Sequence, residues 1–113
     1  MTHISHWRTI GHDLCRNPIF TEDVKQLLSD EEYAALQEHM ALHPEAGAVI
    51  QGTGGLRKIR WSAGGKGKSG GVRVIYYHLT LSAQIRMILI YRKGIKDDLT
   101  PKEKEALRKL NER

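Results

Sequence analysis

Leu56–Tyr91 reads LRKIRWSAGGKGKSGGVRVIYYHLTLSAQIRMILIY, and the changes of period along it decide the fold. From Leu56 to Ser62 side-chain character alternates, so Lys58 and Arg60 point to one face of a strand while Ile59 and Trp61 point to the other. Val72–Leu79 is β-branched and aromatic, as strands are, and Ile85–Tyr91 forms a third such run. Between the first two lies AGGKGKSGG, Ala63–Gly71, a flexible loop that carries Lys66 and Lys68 and no apolar anchor. Strands joined by connections of this length are most simply antiparallel.

Upstream, Gly52, Gly54 and Gly55 mark a turn into the first of these strands. Earlier still the period is helical. Thr21 followed by Glu22 and Asp23 reads as a helix start, with Val24, Leu27 and Leu28 on one face. Ser29 and Glu32 then make a capping box for a second helix, whose Tyr33, Leu36 and Met40 face the core and which His43-Pro44 ends. Downstream, Thr100, Pro101 and Glu103 start a last helix with Ala106, Leu107 and Leu110 as its apolar stripe. Residues 1–16 are expected to be an N-terminal extension or a weak first strand, because Asn17-Pro18 interrupts any longer one. Residues 17–113 are expected to form one α+β domain. Two N-terminal helices lie on a small antiparallel sheet, with a short C-terminal helix after it.

The charge is unevenly placed. Arg57, Lys58, Arg60, Lys66, Lys68, Arg73, Arg86, Arg92, Lys93 and Lys96 fall between Ala46 and Lys96, where there is no Asp or Glu. The chain holds 18 Lys and Arg and 13 Asp and Glu, so the middle carries +10 and the flanks −5. Massing like charge opposes compaction, which points to a polyanionic partner. No apolar run reaches the roughly 18 residues of a membrane span, and the N-terminus does not read as a secretory signal. The lone Cys15 fits a cytoplasmic protein and leaves no thiolate zinc site.

Within the basic segment, Lys58 and Arg60 alternate on one strand and Arg73 follows on the next. Paired across the glycine loop, the three would meet one phosphodiester: arginine offers a planar fork and lysine a point charge that can exchange a proton. The loop lacks the strand–GxxxxGK[ST]–helix order of a nucleoside-triphosphate site, because a strand follows it. His39 and His43 stand four apart but have no accompanying carboxylate motif, so neither a metal nor another cofactor is expected. Tyr77 shares the Arg73 face by alternation and is placed to stack on a base.

Gly52–Arg60 (GTGGLRKIR), Gly70–Tyr77 (GGVRVIYY) and Tyr91–Thr100 (YRKGIKDDLT) resemble the HigB branch of the RelE-like toxins, as do PIFT at Pro18–Thr21 and LSDEEYAAL at Leu28–Leu36. The resemblance spans roughly residues 17 to 110. It implies the toxin of a type II toxin–antitoxin pair, a metal-independent endoribonuclease that cuts mRNA in the ribosomal 30S A site. A HigA-like helix-turn-helix antitoxin would neutralise it, and operator DNA would be met only through that complex. The family's catalytic positions carry over to Lys58, Arg60, Arg73 and Lys93. RNA contacts are expected from Arg57, Lys66, Lys68, Tyr77, Tyr91 and Lys96. The family's usual Asn-Glu after the last lysine is replaced here by Gly94-Ile95. Arg73→Ala is expected to leave folding intact. Alternatives are a ParE-like gyrase inhibitor of the same fold and a non-catalytic RNA-binding module.

Overall fold

The computed structural model describes residues 13–16, 18–64, 71–79, 84–94 and 99–111. Strand β1 (Asp13–Arg16) leads into helices α1 (Pro18–Leu27) and α2 (Asp30–Leu42). The chain then enters β2 (Ala48–Val49), β3 (Arg57–Trp61), β4 (Val72–Leu79) and β5 (Gln84–Arg92), and ends in α3 (Pro101–Asn111). The five strands form one sheet in the order β1-β5-β4-β3-β2. β2 to β5 are antiparallel to their neighbours, as expected, but β1 pairs with β5 in parallel. The fold is α+β, with an antiparallel sheet extended by one parallel edge strand. Of residues 1–16, expected as an extension or a weak first strand, 1–12 lie outside the described residues and Asp13–Arg16 forms β1.

α1 begins at Pro18, three residues before the expected start at Thr21. Proline suits the first helical position because its fixed φ matches the helix and its missing N–H would lack a partner there anyway. The capping box at α2 is as read: the Glu32 N–H donates to Ser29 Oγ at 3.1 Å, and the Ser29 N–H to Glu32 Oε1 at 2.8 Å. Phe20, Val24 and Leu28 from α1 and its end, with Leu36 and Met40 from α2, bury one face of the sheet through Ile59, Val72, Val74, Tyr76, Ile85, Met87 and Ile90. A second, smaller core lies on the opposite face. There Leu56, Ile75, Ile88 and Tyr91 are covered in part by Leu99 and by Leu107 of α3.

Two polar devices hold the loops to this frame. The buried Tyr76 hydroxyl donates to the Pro44 carbonyl at 2.9 Å and accepts from the Gly47 N–H at 2.8 Å, fixing the segment that leads into β2. Glu32 also accepts from the Gly64 N–H at 2.7 Å, and its carbonyl receives the Trp61 indole N–H at 3.2 Å, so the start of α2 is tied to the end of β3. The backbone hydrogen bond from Ser29, then that from Gly64, holds the Glu32 carboxyl below the ordinary 4.5. A depressed folded value means that this stabilisation is complete above the unfolded value and is lost as pH falls through the folded one. Thermal melts stepped from neutral to acid pH should therefore show a Glu32-dependent decline on the acid side. In Glu32→Gln that part of the pH dependence should disappear; an unchanged profile would contradict the assigned tie.

Candidate functional site

The sheet face opposite α1 and α2 carries the basic residues. The register sets Arg60 opposite Arg73 and Arg73 opposite Tyr91, so these three form one row across β3, β4 and β5. Lys58, Ile75 and Leu89 form the next row. The Lys93 N–H donates to the Gly71 carbonyl at 3.0 Å. Counting two residues inward along each strand makes Arg73 and Tyr91 a hydrogen-bonded pair, and Arg60 and Arg73 a non-hydrogen-bonded one. The latter is the closer antiparallel pairing, with Cα atoms about 4.5 Å apart, so two guanidinium stems start side by side. Reading the sequence by alternation had allowed this meeting; the register makes it.

The three cations differ in exposure. Arg60 is exposed and Lys58 half-buried, whereas Arg73 is only 8% exposed and donates to the Val72 carbonyl at 3.2 Å. That burial overturns the expectation that Arg73→Ala leaves folding intact. Removing the side chain would open a void between Tyr91 and β3, and core truncations of this kind are destabilising. The informative replacement is Arg73→Lys, which keeps the charge and gives up the planar fork.

Of the remaining described candidates, the register places only Tyr91 in this row. Arg57 lies on the helix-side face, opposite Tyr76, where its guanidinium donates to the Glu45 carbonyl at 3.2 Å and the Gly47 carbonyl at 2.8 Å. It pins a loop. Tyr77 is on the expected face but packs half-buried against the second core, and Tyr91 is 9% exposed within that core. Lys93 follows the end of β5, where it faces Gly71 beyond the Arg73–Tyr91 pair, and lines a cavity of about 150 Å³ with Leu27, Gly64, Gly71 and Arg92. Lys66, Lys68 and Lys96 lie outside the described residues, as does Ile95. Among the described residues, no three of His, Cys, Asp and Glu converge as metal ligands would.

Two features of this face escaped the sequence. α3 closes its apolar half through Leu99 and Leu107, and the stems of Lys104 and Arg108 lie over the glycine turn at Gly52 and Gly54. Arg86, on the same face opposite Tyr77, donates to the Asn111 carbonyl at the end of α3, where the helix dipole favours a cation. The only hint of Arg86 was a single cation set between apolar neighbours, and nothing local names its partner. The face is thus split into a half sealed by α3 and an open half that presents Lys58 and Arg60 above Arg73.

No protein-family model matches the chain. Among solved structures, the fold is similar to that of the E. coli toxin RelE, determined in the free state as a double arginine-to-alanine mutant. The TM-score is 0.56 at 15% sequence identity, over 77% of this chain and 88% of that one. Element order, sheet and helix placement therefore give this chain a RelE-like fold.

Proposed function

We propose that this protein is the toxin of a type II toxin–antitoxin pair, of the HigB branch, and that it cuts mRNA on the ribosome as a metal-independent endoribonuclease. The observation that carries the reading is the Arg60–Arg73 pair with Lys58 one row away, on the open half of a face drawn from a segment without acids. A ribose 2′-oxygen attacks the adjacent phosphorus, a P–O bond forms to it, and the bond to the 5′-oxygen breaks. Arginine does not give up its proton in proteins, so Lys58, acting as its neutral amine, is the group that takes the 2′-hydroxyl proton and becomes the ammonium. Arg60 and Arg73 meet the charge that builds on the phosphorane oxygens, and the departing 5′-oxygen is protonated from solvent. Lys93, exposed at the end of β5 beyond the Arg73–Tyr91 pair, is assigned to the RNA strand leaving the site and not to proton transfer. The ribosome supplies orientation that so sparse a site lacks.

In a bacterial cytoplasm the partner is a HigA-like helix-turn-helix antitoxin, with operator DNA met only in its company. Induction of the chain should arrest growth, and primer extension should then show discrete cuts inside translated codons. Growth should return when the antitoxin is co-expressed. Intact mRNA with DNA damage would instead assign the fold to gyrase inhibition, and RNA binding without arrest would assign it to a non-catalytic module.

A further inference from the structure

β2 covers only the first part of β3. Ala48 stands opposite Lys58 and Val49 opposite Arg57, and no described strand continues this pairing along Ile59, Arg60 and Trp61. The Ile50 N–H donates to the Leu56 carbonyl at 2.8 Å, so the peptide groups of Leu56 and Lys58 aim toward β2. Two residues on, the Arg60 N–H and carbonyl aim the same way, past the end of β2. A groove of about 390 Å³ opens at this place, lined by His39, Ala48, Lys58, Arg60 and Trp61 among others. The His39 and Trp61 rings lie 5.1 Å apart at 41°, and the Trp61 indole is held by its hydrogen bond to the Glu32 carbonyl. The groove therefore has an aromatic wall, a strand edge with one donor and one acceptor, and two cations on the strand that forms its floor.

We propose that this open-edge groove is a subsite for one unpaired RNA base next to the phosphate held at Lys58, Arg60 and Arg73. The base lies against the His39–Trp61 rings and sets its hydrogen-bonding edge on the Arg60 peptide group. The sheet edge is where the two faces meet, so a nucleotide turned round it keeps its phosphate over the cations and its base on the aromatic side. Single-stranded RNA is commonly recognised by stacking splayed bases on aromatic side chains, which tolerates any base, while edge contacts select among them. The inference rests on the ribonuclease reading and names the substrate contact of that same site.

The test uses the full chain with Trp7→Phe, which leaves Trp61 as the sole tryptophan. The probes are a short single-stranded RNA, 2′-O-methylated against cleavage, and an oligomer of equal charge with abasic positions. Base-bearing RNA should quench Trp61 fluorescence and bind about tenfold more tightly than the abasic oligomer. His39→Ala, and Ala48→Leu, which fills the groove without touching the core, should each erase most of that ratio. Equal affinity for the two probes, or a ratio unchanged in both variants, overturns the subsite. A wild-type chain that arrests growth and cuts mRNA yet fails to tell the probes apart loses this inference alone. Absence of both arrest and cutting overturns the ribonuclease reading, and retained base discrimination would then leave the subsite standing as a binding site.

Discussion

Lys58→Met is expected to lower cleavage of ribosome-bound mRNA by about 10²–10⁴-fold, the range typical for loss of a positioned general base. The replacement keeps an unbranched stem of similar length in the row beside Ile75 and Leu89, so the half-buried aliphatic part stays covered. Only the amino group is lost. Cleavage should be followed by primer extension at fixed ribosome concentration, with a thermal melt of the same variant alongside. A variant that melts like the wild type and cuts at an undiminished rate would remove Lys58 from the chemistry. Arg73→Lys belongs in the same series: it should weaken cleavage through loss of the two-pronged phosphate contact while the charge persists.

The largest expected effect on stability comes from Gly71→Ala. A Cβ at Gly71 would sit 2.1 Å from the Trp61 carbonyl oxygen and 2.9 Å from the Ala63 nitrogen. Both atoms belong to backbone, so no side-chain rotation relieves the clash. β3 must move away from β4 at the Trp61–Val72 pair, one step from Arg60 and Arg73, and the Lys93 bond to the Gly71 carbonyl must shift with it. Overpacking of this severity costs about 3 kcal/mol. For a domain of this size that lowers the melting temperature by roughly 10–20 °C. RNA cleavage should fall in parallel even below the melting range, because the two arginines lose their register. A melt within about 2 °C of the wild type would show that the strands do not approach so closely.

Much of the fold was legible because its signals are local. Alternation at Lys58 to Trp61 follows from the pleat, the Ser29–Glu32 box satisfies amides within one turn, and Pro101 suits only a helix start. β1 was blurred by the nearby proline, and its parallel pairing with β5 joins residues some seventy positions apart. The two-residue β2 is too short to show a period. Among the site residues, the sequence named Lys58, Arg60 and Arg73 correctly as neighbours on one face. It grouped Arg57 with them by composition, although alternation sends Arg57 to the other face, where the carbonyls of Glu45 and Gly47 hold it.

The sequence by itself determined the strand and helix periods, the acid-free basic segment and the side on which each strand cation emerges. These depend on backbone geometry over a few residues and on charge, which counting reveals. Only the tertiary structure decided which cations stay open. Burial of Arg73 depends on strands that flank it from both sides, and the sealing of half the face depends on where Leu99 and Leu107 land. The groove at the Arg60 edge exists because β2 stops early while α2 brings His39 beside Trp61. Such features arise from the meeting of distant segments, and no period within any one of them encodes the encounter.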